Sequence, residues 1–216
     1  DESRTLVTSI ENILKCNRVI PQMLPSRRLV KLKKGVAYHH RSRVFNPNDS
    51  NSCLWMQYQI GTNNTRDDVL LELLSQVIET PFYEQARTKE QLGYAVWSPH
   101  QYVAGVGIFA FVIQSPQKDP LFLEERVDAF LDTFKATLSG LSAAEFEKHV
   151  NSLLTSKTKK YQYLSEELKF HWQEITDNSF RFDKKERFVE VLKGITKQDL
   201  VDFFETKLHN KATRRR

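Results

Sequence analysis

Residues 87–94 read Arg87-Thr88-Lys89-Glu90-Gln91-Leu92-Gly93-Tyr94, and their order predicts a helix running into a strand. Glycine takes positive φ at little cost and so ends helices, which makes Gly93 the expected left-handed stop. Arg87 then lies on the last helical turns and Tyr94 opens the strand. Both side chains can face one cavity, the arginine as a fork of donors and the tyrosine as a single O–H donor. Donors that converge on a carbonyl suit the stabilisation of an oxyanion or the clamping of a peptide backbone. The competing reading is a surface helix end, with Arg87 paired to Glu84 or Glu90 and Tyr94 packed in a sheet.

Upstream of this turn, Leu70, Leu73, Leu74, Val77 and Ile78 form the core stripe of a long helix. Thr65 is its expected cap, Asp67 and Asp68 favour the positive end of its dipole, and Pro81 should kink it. Before it, residues 53–60 alternate, with Leu54, Met56, Tyr58 and Ile60 on one face of a half-buried strand. Residues 36–44 also read as a strand, followed by a turn cluster at 46–51. Downstream, residues 94–97 and 103–114 are expected to pair across a turn at 98–101. The second strand is apolar on both faces and belongs in the sheet interior.

From Asp119-Pro120, an N-cap with proline behind it, the chain reads as helical to its end. Ser142-Ala143-Ala144-Glu145 is a capping box and Thr196-Lys197-Gln198-Asp199 a weaker one. His149 flanks an apolar stripe of Phe146, Val150 and Leu153 and reads as a satisfied neighbour, not a ligand. Strands followed by helices give an α+β domain, an antiparallel sheet with helices on one face. Residues 1–34, which open with a helix carrying Leu6, Ile10 and Ile13 and are then broken at Pro21 and Pro25, read as the tail of a preceding domain and its linker. Residues 35–216 form the α+β domain.

The 216 residues, 40% hydrophobic and 27% charged, describe an ordinary globular chain. No apolar run approaches the ~20 residues of a membrane helix. Asp1-Glu2-Ser3-Arg4-Thr5 has no signal-peptide order. Cys16 and Cys53 read as free thiols of a reducing compartment, with one disulfide as the alternative. The net charge of +5 gathers at Arg27, Arg28, Lys31, Lys33 and Lys34, at Lys157, Lys159 and Lys160, and at Arg214, Arg215 and Arg216. Without a nucleic-acid-binding motif, and with 27 acidic residues interspersed, these clusters read as solvated faces and not as a nucleic-acid site.

The octapeptide closely resembles the insulysin branch of the pitrilysin-type zinc metallopeptidases. Further anchors are Leu24-Pro25-Ser26, Leu71-Glu72-Leu73, Ile113-Gln114-Ser115 and Glu125-Arg126-Val127-Asp128-Ala129-Phe130-Leu131. Phe146-Glu147-Lys148-His149, Leu164-Ser165-Glu166-Glu167 and Trp172-Gln173-Glu174-Ile175 continue the series in family order. The likeness is to the C-terminal, non-zinc half: the end of the third domain and most of the fourth. It implies that Arg87 and Tyr94 contact substrate near the scissile bond. It implies polyanion binding near Lys157, Lys159 and Lys160, although Tyr161, Gln162 and Tyr163 stand at some of the expected basic positions. It also implies a further strand beyond Arg214–Arg216.

Family members bind zinc through an inverted motif, His-x-x-Glu-His, with a downstream glutamate. The six histidines here, His39, His40, His100, His149, His171 and His209, do not complete it. The nearest approach, His171-Trp172-Gln173-Glu174, has Ile175 where the second histidine belongs. The resemblance therefore implies zinc in the full-length enzyme, held by the N-terminal half of the same polypeptide, and none in this chain. It further implies peptide substrates, no activity of this chain alone, homodimers through C-terminal halves, and a cytoplasmic, peroxisomal or mitochondrial setting. The rival expectation is a non-catalytic subunit or binding module of the same superfamily, akin to the processing peptidases.

Overall fold

A computed structural model describes residues 2–15, 19–20, 23, 28–62, 64–177 and 179–216. The anchor Leu24-Pro25-Ser26, the breaks at Pro21 and Pro25, and the cluster member Arg27 lie outside the described residues, as does Cys16. Cys53 is free and exposed.

Strand β4 (Val106–Ser115) decides the architecture because nearly every residue in it is buried. β1 (Ser52–Thr62) pairs with it antiparallel along one edge, from Ser52↔Ser115 to Thr62↔Val106. The other edge is shared by β2 (Ala95–Trp97) and β3 (His100–Val103), both antiparallel to β4. Alternation along the strands sends Met56, Tyr58 and Ile60 of β1 and Phe109, Phe111 and Ile113 of β4 into the core.

Helices cover that face. α2 (Thr65–Tyr83) and α3 (Pro120–Gly140) lie against the sheet. Phe82 meets Phe111 at 4.6 Å and Phe130 at 5.2 Å, centroid to centroid, both edge-on. Phe134 extends the ring series to Phe204 of α7 (Lys197–Phe204) at 5.3 Å. Each such ring contact adds about 0.5–1.5 kcal/mol beyond area burial. α4 (Ala143–Thr158), α5 (Leu164–Thr176) and α6 (Lys184–Lys193) complete the domain. α1 (Glu2–Leu14) is exposed throughout. Both capping boxes form as expected, at Ser142–Glu145 and Thr196–Asp199, and Asp119 caps α3 with Pro120 behind it.

Several expectations are corrected. Residues 36–44 form no strand; among the described residues their backbone contact with the sheet region is indirect. Gly35 and Tyr38 donate N–H bonds to the carbonyls of Arg214 and Arg216, each at 3.0 Å. Asn64, not Thr65, caps α2, its side chain accepting the Arg66 N–H. The expected turn at 98–101 is a break inside one edge strand, where Pro99, lacking an N–H, still accepts from Ala110 at 2.8 Å. The real hairpin turn is Ala104-Gly105, both at positive φ (49° and 75°) between the paired Val103 and Val106. Two positive φ values in a two-residue loop match the twist of the flanking strands.

The chain is also not helical to its end. A π-helical turn (Glu205–His209) closes the helices, and Arg215 then accepts the Gln59 N–H of β1. Nor are the terminal arginines solvated. Arg214 is buried, 3.1 Å from Asp128, and sits over the Tyr58 ring at 5.6 Å. Arg216 bonds both Asp128 and Glu124. Glu124 and Asp128 are one turn apart on α3 and share a face, so together they offset the desolvation of two guanidinium groups.

Ala104 holds a left-handed conformation that costs an ordinary L-residue about 1–2 kcal/mol. Ala104→Asn is expected to stabilise the domain by about 0.5–1 kcal/mol, because Asn-Gly suits this turn. Gly93→Ala should do the opposite, by ~3 kcal/mol or more, since a Cβ there meets backbone. Urea unfolding midpoints of the two variants check both signs.

Candidate functional site

The site turn begins where Pro81 removes a backbone donor near the end of α2. The helix does not stop. It widens into a π-helical segment (Glu84–Lys89), closed by the Glu90 N–H donating to the Gln85 carbonyl at 2.9 Å. Such widened turns recur at functional positions. Ala86 is buried within it and its carbonyl accepts the Leu92 N–H at 2.9 Å. Leu92, 4% exposed, plugs the turn into the core.

Gly93 is not the left-handed residue. That conformation falls on Gln91, with φ of 50°. Gly93 is required for another reason: an ideal Cβ there would lie 1.9 Å from the carbonyl oxygen of Gln114 on β4. The turn is therefore pressed against the sheet by the absence of a side chain. Tyr94 emerges just before β2 and is 85% exposed.

Arg87 and Tyr94 are brought together. The guanidinium carbon stands 5.4 Å from the centre of the Tyr94 ring, a cation–π contact. Arg87 is not paired with Glu90. That carboxylate takes two bonds from Arg126 of α3, at 2.6 and 2.8 Å, and one from Gln85 at 2.6 Å. The Arg126 guanidinium holds the Glu90 carboxyl below the ordinary glutamate range, with the Gln85 bond acting in the same direction. Tyr83, half exposed, sits one helical turn before Arg87. The arrangement presents a forked cation and a phenol on a surface whose backbone is held by strand, helix and steric exclusion. Such a pair can donate to a peptide carbonyl without reorganising.

The three lysines at the end of α4 are not equivalent. The Lys157 ammonium lies 2.6 Å from Glu72 and 4.5 Å from the centre of the Phe188 ring. Lys159 and Lys160 are exposed. Beside Lys157 is an open cleft of about 450 Å³, into which Lys169, Lys184 and Lys185 also project with Tyr161 and Phe170. The Lys185 ammonium sits 3.6 Å over the Tyr161 ring. These lysines come from α5 and α6, and no local spacing in the sequence announces that they meet. Glu174 is 5% exposed and directed inward, accepting from Ser179 and Arg181 and pairing with Lys184 at 3.5 Å. His171 is directed elsewhere, 3.9 Å from Glu167. Among the described residues no three His, Cys, Asp or Glu side chains are placed to hold a metal. No helix among them is long and apolar enough to cross a membrane. The Gln76 side-chain amide donates to His149 Nδ1 at 3.1 Å, as it would to a satisfied neighbour.

Residues 73–172 match a family model described as PQQ synthase PqqF-like, C-terminal lobe domain 4. The whole chain aligns, at 32% identity, with the peroxisomal insulin-degrading enzyme-like protein 1 of Arabidopsis thaliana, spanning 23% of that protein. Human insulin-degrading enzyme aligns with 91% of the chain at 34% identity, over 19% of its own length. The chain thus spans about a fifth of these relatives. The crystal structure of pitrilysin superposes on 74% of the chain with a TM-score of 0.66 and 32% identity, using 17% of the pitrilysin chain.

The lowered Glu90 value sets a pH dependence. A carboxyl depressed by folding stabilises the fold fully above its ordinary value of 4.5 and loses that contribution as pH falls through the lower folded value. Acidification from about pH 6 to about pH 3 should therefore narrow the stability gap between wild type and Glu90→Gln, measured by chemical denaturation at each pH.

Proposed function

We propose that this chain, which by sequence and fold is a C-terminal segment of the pitrilysin-type peptidases related to insulin-degrading enzyme, forms the non-zinc wall of a peptide-hydrolysing chamber. The observation that carries the reading is the exposed Arg87–Tyr94 pair on its braced turn. In the longer polypeptide the facing N-terminal half supplies zinc, which acts as Lewis acid and activates water. Among the described residues no three His, Cys, Asp or Glu side chains fit a zinc centre, and in this reading the residues of this chain take no part in holding the metal.

Their role is to bind and orient. Arg87 can donate to a substrate carbonyl through two parallel N–H groups while its plane rests on the Tyr94 ring. Tyr94 can then give its O–H to the carbonyl oxygen whose negative charge grows during attack. Short, unfolded peptides are the substrate class, because both donors read backbone, which every peptide has. Lys159 and Lys160 are the charges available to a polyanion; Lys157 would first have to leave Glu72. By itself the chain is inactive in this reading.

In the full-length enzyme, Tyr94→Phe is expected to lower kcat on the order of 10²-fold while zinc content stays unchanged. Steady-state kinetics with a fluorogenic peptide, alongside metal analysis, checks it. Wild-type turnover on every peptide tested would remove Tyr94 from the chemistry.

A further inference from the structure

The site turn contains little that could hold it by itself. Residues 90–94 lie between the end of the π-helical segment and β2, and Gln91 holds a left-handed conformation that costs about 1–2 kcal/mol. Conformations of that kind persist only where the surroundings over-determine them. Two constraints are steric, the Leu92 plug and the close pass of Gly93. The third is electrostatic. Glu90 sits between Arg87 and Tyr94 in the chain and is the residue on which the most bonds in the turn converge.

Both oxygens of its carboxylate are engaged by one guanidinium. Arg126 Nε donates to Oε2 at 2.6 Å and Nη2 to Oε1 at 2.8 Å, and Gln85 Nε2 donates to the same Oε1 at 2.6 Å. A fork-on-fork pair fixes orientation as well as distance, which a lysine cannot do. The Glu90 side chain is only 17% exposed, so water competes weakly for it. Arg126 in turn stands on a rigid base: Leu123, Val127 and Phe130, its neighbours on α3, are all in the core. α3 therefore reaches across to the turn through one side chain.

We propose that Glu90 and Arg126 are positioning residues, a clamp that holds the turn so that Arg87 and Tyr94 face substrate together. The clamp touches no substrate atom itself. Its consequence for turnover rests on the function proposed above, whereas its hold on the turn can be read separately.

The test uses the full-length enzyme carrying this chain, with Arg126→Met, which keeps an apolar stem on α3, and Arg126→Lys. Two readouts are taken, amide hydrogen exchange at Glu90 and Leu92, and kcat and KM. Arg126→Met is expected to speed exchange at those two amides ~10-fold while the amides of β4 exchange as before. Its kcat should fall ~10-fold with KM nearly constant, and Arg126→Lys, restoring part of the bonding, should lie between. Combined with Tyr94→Phe it should add no further loss, because a misplaced donor and a missing donor fail in the same way. Wild-type exchange in Arg126→Met overturns the clamp. So does faster exchange with wild-type kcat, in an enzyme where Tyr94→Phe is slow, or a loss that simply multiplies with that of Tyr94→Phe. If Tyr94→Phe is itself fully active, the proposed function fails, and the exchange result alone decides the clamp.

Discussion

A methyl group on residue 93 would come within 1.9 Å of the Gln114 carbonyl oxygen, so the chain can pass β4 at this point only as glycine. Much else depends on that close pass. It sets how deeply Leu92 enters the core, and where β2 begins its pairing at Ala95↔Gln114. Tyr94, the next residue, stands exposed beside it. A larger residue would lift the turn off the sheet, and the wide π segment, the left-handed Gln91 and the Arg87–Tyr94 contact would all lose their reference. The constraint is steric and short-ranged, which is why one atom decides it.

α3 connects this region to the opposite edge of the sheet. Glu124 and Asp128 bind Arg216 and Arg214, which lie near β1, while Arg126 of the same two turns binds Glu90 beyond β2. Charges on one helix thus anchor both flanks of the sheet. The basic composition looks like a solvated surface when residues are counted. Some of it is instead committed to these internal pairs, with Lys157 on Glu72 and Lys207 on Asp67 adding to them.

What the sequence revealed was mostly what is local. α2 and α3 follow from apolar periodicity, the capping boxes from residues three apart, and β4 from its unbroken apolar run. The octapeptide pointed to Arg87 and Tyr94, and the structure puts them in contact. The errors were of another kind. The local sequence gives Gly93 a conformational reason, whereas its need is space, and space depends on Gln114, a residue distant in sequence. Pro99 looked like a turn because proline often marks one, while Ala104-Gly105, with no asparagine or proline, did not. Residues 36–44 have strand-forming composition, but Tyr38 bonds the irregular tail at 214–216, whose Arg215 carbonyl takes the Gln59 N–H of β1. Arg214 and Arg216 are buried by carboxylates from α3, which no spacing near the arginines could reveal.

The two-residue loop at Ala104-Gly105 also bears on the order in which the sheet assembles. β3 and β4 meet after closing the shortest possible chain loop, so their hairpin can form on a microsecond scale. β1 reaches the same strand only after α2 and the site turn have been accommodated between them, with a correspondingly larger loss of chain entropy. The hairpin is thus the natural early species and β1 the late arrival. Until β1 docks, the other edge of β4 is an unpaired apolar ribbon, the stage at which a nascent chain of this kind is most exposed to aggregation.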